Sequence, residues 1–124
     1  MRDFRALKVW QRSHQLVLAV YEATGTFPRE ETYGLTAQLR RCCASIPANI
    51  AEGCGRSGEA ELGRFMVIAM GSASELEYYL LLGRDLGYLS ARDYQELSQR
   101  TGEVKRMLST LITKVRPANY KLTS

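Results

Sequence analysis

Eight basic side chains in this sequence have the type and spacing needed to hold phosphate. Arg5, Lys8 and Arg12 recur at intervals of three and four, which gathers them on one side of a helix. On that spacing they fall almost opposite the stripe Leu7, Trp10, His14, Val17 and Tyr21, and so are expected to face solvent together. Arg40 and Arg41 also point away from the apolar seam of their own segment, and Arg2, Arg56 and Arg64 complete the set. Guanidinium and ammonium groups placed this way track a nucleic-acid backbone by charge and bidentate hydrogen bonds, without reading bases. An ordinary solvated helical face would use the same residues. Base stacking is expected to add little, because only Phe4 and Trp10 lie near the basic stripe and Trp10 is better used in a core. The chain carries 17 Lys plus Arg against 13 Asp plus Glu, a net charge of +4 that permits an anionic partner and says nothing of fold.

Catalysis and metal binding find no footing. A carboxylate-bridged metal centre in a helical bundle uses Glu-x-x-His pairs projecting inward, whereas the one histidine, His14, has no Glu three positions before it. His14 sits on the apolar stripe of the first helical segment and reads as a hydrogen-bonded core or interface residue. Met66, Met70 and Met107 read as gap-filling side chains before they are axial ligands. Cys42, Cys43 and Cys54 form an odd set with neither a zinc spacing nor a C-x-x-C pair, so reduced, small apolar residues are expected there. No G-x-S-x-G turn is present, and Gly53, Gly55 and Gly58 lack the Lys-Ser/Thr ending of a phosphate loop. The expectation is no enzyme, with no catalytic residue, no metal and no cofactor.

The elements that must position these residues are helical. At 124 residues the chain fits a single domain, 1–124, that can bury about two thirds of its extended surface. Hydrophobic residues at 45% and charged residues at 24% exclude a disordered chain. Four segments carry apolar residues at intervals of three and four, with no useful strand alternation, and predict helices at about 5–24, 30–53, 58–86 and 91–116. Gly25 and Pro28 stop the first helix, and Glu30 and Glu31 suit the start of the second. Ser57 is placed to cap the third, and Gly87 to end it in the left-handed conformation. Ser90 and Asp93 resemble a capping box at the fourth start, with Leu89 and Tyr94 as a hydrophobic staple. Pro117 ends that helix, and 118–124 is expected to be loose. Short links make neighbours antiparallel, so the fold class is all-α, an up-down-up-down four-helix bundle. The opening residues hold no continuous apolar signal region, and no stretch approaches the roughly eighteen apolar residues of a membrane span, so a cytoplasmic protein without a membrane partner is expected.

The second helix contains RRCCASIPANIAEGCGR over residues 40–56, with a proline, an asparagine and a glutamate in its second half. Pro47 removes an N–H and crowds the Cys43 carbonyl, so Ser45 or Asn49 is expected to help satisfy the freed groups. Asn49 falls on the seam, where an amide can fix register. Glu52 stands four residues before Arg56, in ion-pair orientation. Alternatively, Asn49 and Glu52 anchor a polar network reaching Ser72 and Glu75 on the third helix. Residues 16–21 and 78–82 are unbroken apolar runs that sweep around their helices. Val17, Leu18, Tyr21, Tyr78, Tyr79, Leu81 and Leu82 therefore compose a partner surface, most simply for another copy of the chain. A wide core stripe with scattered exposed apolar residues is the other reading.

Residues 33–53, YGLTAQLRRCCASIPANIAEG, with RFMVIAMGSASELEYYL over 64–80 and FRALKVWQRSHQLVLAVYEATGTFP at the start, resemble the four-helix-bundle proteins encoded in intervening sequences of bacterial 23S ribosomal RNA genes. The likeness covers about residues 4–115, and the N-I-A-E-G and G-S-x-x-E-L elements give it specificity. That family is similar in fold to the accessory variability determinant of diversity-generating retroelements, a pentameric basic barrel that binds nucleic acid and assists a reverse transcriptase. The resemblance therefore implies the bundle, a ring-like homo-oligomer of five copies, RNA or DNA binding, and a reverse transcriptase as a further partner. A protein-interaction scaffold that binds no nucleic acid is the alternative function.

Overall fold

The computed structural model describes residues 2–115. Every regular element among them is helical: a 3-10 turn at Phe4–Ala6, α1 (Lys8–Thr24), a second 3-10 turn at Arg29–Glu31, α2 (Leu35–Gly55), α3 (Glu59–Asp85) and α4 (Ala91–Val115). The expected loose tail at 118–124 and the stop at Pro117 lie outside the described residues.

Local chemistry moves several boundaries from where periodicity places them. The Asp3 carboxylate accepts the Arg5 N–H at 3.0 Å, closing a short turn, and Leu7 is extended at φ −80°, ψ 127°. The first long helix therefore starts at Lys8 rather than near 5, and Arg5 is out of register with Lys8 and Arg12. The second starts at Leu35 rather than 30, because residues 29–31 close their own turn. Glu31 still serves that helix from outside: its carboxylate accepts the Leu35 N–H at 2.9 Å and the Tyr88 hydroxyl at 3.1 Å. Ser57 does not cap α3. Gly58 takes that position at φ 90°, ψ 152°, a region essentially reserved for glycine. At the fourth start the Ser90 hydroxyl accepts the Asp93 N–H at 3.0 Å, and Gly87 is left-handed at φ 79°, both as the sequence predicts.

α1 packs on α2 and α4, and α3 packs on the same two helices. Contacts run in opposite chain order. Along α2 and α3, Gly53 meets Leu62 and Phe65 while Ser45 meets Ser72; across α3 and α4, Glu77 meets Lys105. Residues 7–9 lie beside 107–111, and 19–26 beside 93–100. Neighbours are therefore antiparallel, up-down-up-down around a shared core.

The seams of three helices fall where the spacing predicts. Leu39, Ile46, Met66, Leu76, Val104 and Leu108 are all fully buried. α1 differs. Its buried stripe is Val9, Ser13, Leu16, Val20 and Thr24, not Leu7, Trp10, His14, Val17 and Tyr21. Two small polar residues enter the core because each hydroxyl bonds its own helix, Ser13 to the Trp10 carbonyl at 2.9 Å and Thr24 to that of Val20 at 2.8 Å. Trp10 and Val17 are left half-buried on the flank, with His14 and Tyr21 exposed.

α3 also departs from expectation. An 18-residue window within it has a mean hydropathy of 1.2, so by length and composition this helix could cross a membrane, and only 33% of that window is buried. It carries two stripes with little charge. Leu62, Met66, Ala69, Ala73 and Leu76 face the core, while Val67, Gly71, Ser74 and Tyr78 lie exposed on the opposite side.

The α2–α3 crossing depends on Gly53, where an added Cβ would lie 2.9 Å from the Phe65 Cβ. Gly55, two residues on, has nothing within 4 Å of the same position. Gly53→Ala is expected to destabilise by about 1–3 kcal/mol through overpacking. Gly55→Ala should leave the urea midpoint unchanged or raise it, so comparing the two midpoints checks the crossing.

Candidate nucleic-acid interface

The eight basic residues do not form one stripe. Lys8 is exposed beside α4, lining a groove with Met107 and Leu111, and Arg12 follows one turn along the same flank. Neither has an ion pair among the described residues. They flank the buried stripe of α1 instead of standing opposite it. Arg5 pairs with Asp3 at 3.1 Å and lies over the Phe4 ring, 4.7 Å from its centroid. Arg2 pairs with Glu59, and its backbone N–H donates to the Cys54 carbonyl at 3.1 Å, pinning the chain start beside the end of α2. Arg56 and Arg64 converge on one ring, 5.2 and 4.6 Å from the Phe65 centroid, while pairing with Glu52 and Glu61. These exposed pairs are worth little individually, about 0–1 kcal/mol each. A phosphate could exchange with such carboxylates at small cost.

Arg40 and Arg41 behave differently. Arg40 is spent inside the protein: it donates to the Thr24 hydroxyl at 2.9 Å and the Tyr21 carbonyl at 3.2 Å, and covers the Tyr21 ring at 4.5 Å. Arg41 is exposed and bonds Gln38 at 3.3 Å. Arg2, Arg5, Lys8, Arg12, Arg56 and Arg64 thus collect in the half of the bundle that holds the chain start and the α2–α3 turn. The other half is mixed, carrying Arg40, Arg41, Arg84 and Arg92 as well as carboxylates. There a groove of about 410 Å³ between α1 and α4 is lined by Glu22, Asp93, Glu96 and a single cation, Arg100.

The expected polar network divides. Asn49 donates to the Ser45 carbonyl at 2.8 Å and to its hydroxyl at 2.9 Å, and Ser45 bonds Ser72 at 2.8 Å. This chain links α2 to α3 through Ser45, and the Asn49 amide satisfies the Ser45 carbonyl instead of reaching that of Cys43. Glu52 instead forms the helical ion pair with Arg56, at 3.0 and 3.2 Å. Glu75 stands beside Tyr79; partial burial and this carboxylate push the Tyr79 hydroxyl up. Of the apolar run residues, Leu18 (57% exposed), Tyr21 (45%) and Tyr78 (57%) are the most open, and Val17, Tyr79, Leu81 and Leu82 are half-buried.

Periodicity alone misses an aromatic array in the basic half. Phe4 packs edge-on against Trp10 at 4.9 Å between centroids, and Trp10 stacks on His14 at 5.0 Å with an interplanar angle of 8°. The sequence does carry a signal, since Trp10 and His14 are four apart and Phe4 adjoins Arg5, but the larger apolar stripe of α1 assigns Trp10 and His14 to the core.

All three cysteines are buried, unpaired thiols. Burial pushes Cys42 and Cys43 up to about 12, assisted at Cys42 by the charge of Glu75.

What these features define is a class: a small all-helical protein of four long helices with a cation-rich end. It belongs to the 23S rRNA-intervening sequence protein family, whose model matches residues 5–110. Its fold is similar to that of a protein of unknown function from the S23 ribosomal protein family of Bacteroides thetaiotaomicron, with a TM-score of 0.76 and 23% identity over 84% of this chain and 97% of that one. Among curated proteins, none matches.

A thiol whose folded value lies above its unfolded one, 9.0, favours the native state only while protonated. That contribution is complete below pH 9 and drains away as pH rises toward about 12. The urea midpoint should fall across this window, and Cys42 and Cys43 should resist iodoacetamide in the native protein but react after unfolding. A flat midpoint, or rapid native alkylation, contradicts the burial.

Proposed function

We propose that the protein is a non-enzymatic, homo-oligomeric nucleic-acid-binding accessory protein that grips the phosphate backbone with its basic half. The segregation of Arg2, Arg5, Lys8, Arg12, Arg56 and Arg64 into one half of the bundle, away from the acidic α1–α4 groove, carries this reading. RNA comes before DNA as the partner, because the family is named for ribosomal RNA. The sequence resemblance extends the proposal to a ring of five copies with a reverse transcriptase as an associated protein, and a cytoplasmic setting without a membrane is part of the same proposal. Repetition supports the mechanism, since +4 protomers side by side build a potential that one copy lacks, and weak sites then act together.

The outer stripe of α3 supports self-association. Val67, Ile68 and Tyr78 are exposed large apolar side chains on a helix whose inner face is already satisfied, and Leu18 and Tyr21 form a separate exposed apolar site on α1, across the bundle from α3. The same exposure favours a second reading, a scaffold on which a different protein covers these faces.

Affinity for an RNA should fall steeply as salt rises, by about 0.7–0.9 decades per decade of salt for each phosphate neutralised. Charge reversal at Lys8 and Arg12 together should flatten that slope by one to two contacts and weaken all sequences alike. Binding absent at low salt, or indifferent to salt, overturns the reading. Light scattering separates self-association from the scaffold: a compact 14.0 kDa particle at high concentration would remove the oligomer.

A further inference from the structure

We infer that the basic half also holds unpaired RNA bases, on a platform built from Phe4, Trp10 and His14. The inference rests on the nucleic-acid reading and gives it a strand type, since charge alone would accept a duplex equally well. Four groups adjoin across the first 3-10 turn and the start of α1: the Arg5 guanidinium on Phe4 at 4.7 Å, Phe4 edge-on against Trp10 at 4.9 Å, and Trp10 stacked on His14 at 5.0 Å. The last pair is nearly parallel, Trp10 packs against the hydrophobic core, and His14 is exposed, so the His14 ring offers surface for a further planar group. A core histidine would not stand in the open, and a tryptophan used only for packing gains little by spending its flank on a polar ring.

Nucleobases fit this surface because any base presents a π face to an aromatic ring, and the phosphates on either side need cations. Those cations are present. Arg5 forms part of the array and Arg2 lies in the same half of the bundle, while Lys8 and Arg12 sit round α1 on its α4 side, away from Trp10 and His14. A duplex keeps its bases stacked on each other and offers such a platform nothing; a single strand offers bases and charge together. The other occupant to consider, a second copy of this chain, has better apolar ground farther along at Leu18 and Tyr21 and on the outer stripe of α3.

Trp10 is the only tryptophan, so its emission reports directly on the platform. The protein is titrated with oligouridine about a dozen nucleotides long, and separately with an RNA duplex of matched length, at one salt concentration. The single strand is expected to quench Trp10 and to bind more tightly than the duplex. His14→Ala, at an exposed position, should weaken the single strand by about 5-fold or more, and Trp10→Ala by about 5- to 150-fold, with duplex affinity unchanged. Trp10→Phe should restore much of the single-strand affinity, which guards against a folding defect in the alanine variant, and thermal melts of each variant complete that check. Equal affinity for both RNAs without quenching overturns the platform while leaving backbone binding intact. No binding of either RNA overturns both. Trp10 emission that shifts on dilution of the protein alone would show that another copy covers the array, and would also overturn the platform.

Discussion

The close approach of α2 to α3 is the constraint on which the rest of the molecule depends. Gly53 presents no side chain where Phe65 and Leu62 cross it, so the two backbones come together at the turn, and Ser45 bonds Ser72 two helical turns away. Once this pair is fixed antiparallel, the N-terminal segment is held against the end of α2 by the Arg2–Cys54 backbone bond. Arg56 and Arg64, on either side of the turn, are brought over a single phenylalanine. The cation-rich end is therefore a product of helix packing.

The ion pairs in this region set a low threshold for binding. Arg2, Arg5, Arg56 and Arg64 each hold an exposed carboxylate, an arrangement that orients the guanidinium without greatly stabilising it. Lys8 and Arg12 stand without such partners among the described residues. A polyanion meeting this surface would find some cations free and others weakly engaged. Aromatic rings under Arg5, Arg56 and Arg64 keep the planar groups near the surface.

Much of the interior is legible from spacing. The seams of α2, α3 and α4 recur at three and four, and burial selects the residues that the pattern selects. The cap at Ser90 and the left-handed Gly87 follow from local chemistry that acts over a few residues. α1 escapes the pattern because it carries two stripes of comparable merit. The larger apolar side chains lie on Trp10, Val17 and Tyr21, yet the core takes Val9, Leu16 and Val20 together with Ser13 and Thr24. A hydroxyl that bonds its own helix is small and internally satisfied, so it can be buried at little cost, and a count of apolar residues passes over it. This one rotation moves Trp10 and His14 from the expected core toward the surface, and it turns Lys8 and Arg12 toward α4.

The sequence by itself determined that the chain is helical, where three of its four seams lie, and the cap at Ser90 and the left-handed turn at Gly87. It also determined the family, because those properties reside in short-range spacing and in local motifs. The tertiary structure alone decided which stripe of α1 faces inward, which arginines are consumed by internal contacts, and that six cations share one end with the rings of Phe4, Trp10, His14 and Phe65. These are outcomes of competition among several surfaces for one core, and residues far apart in the chain settle that competition together.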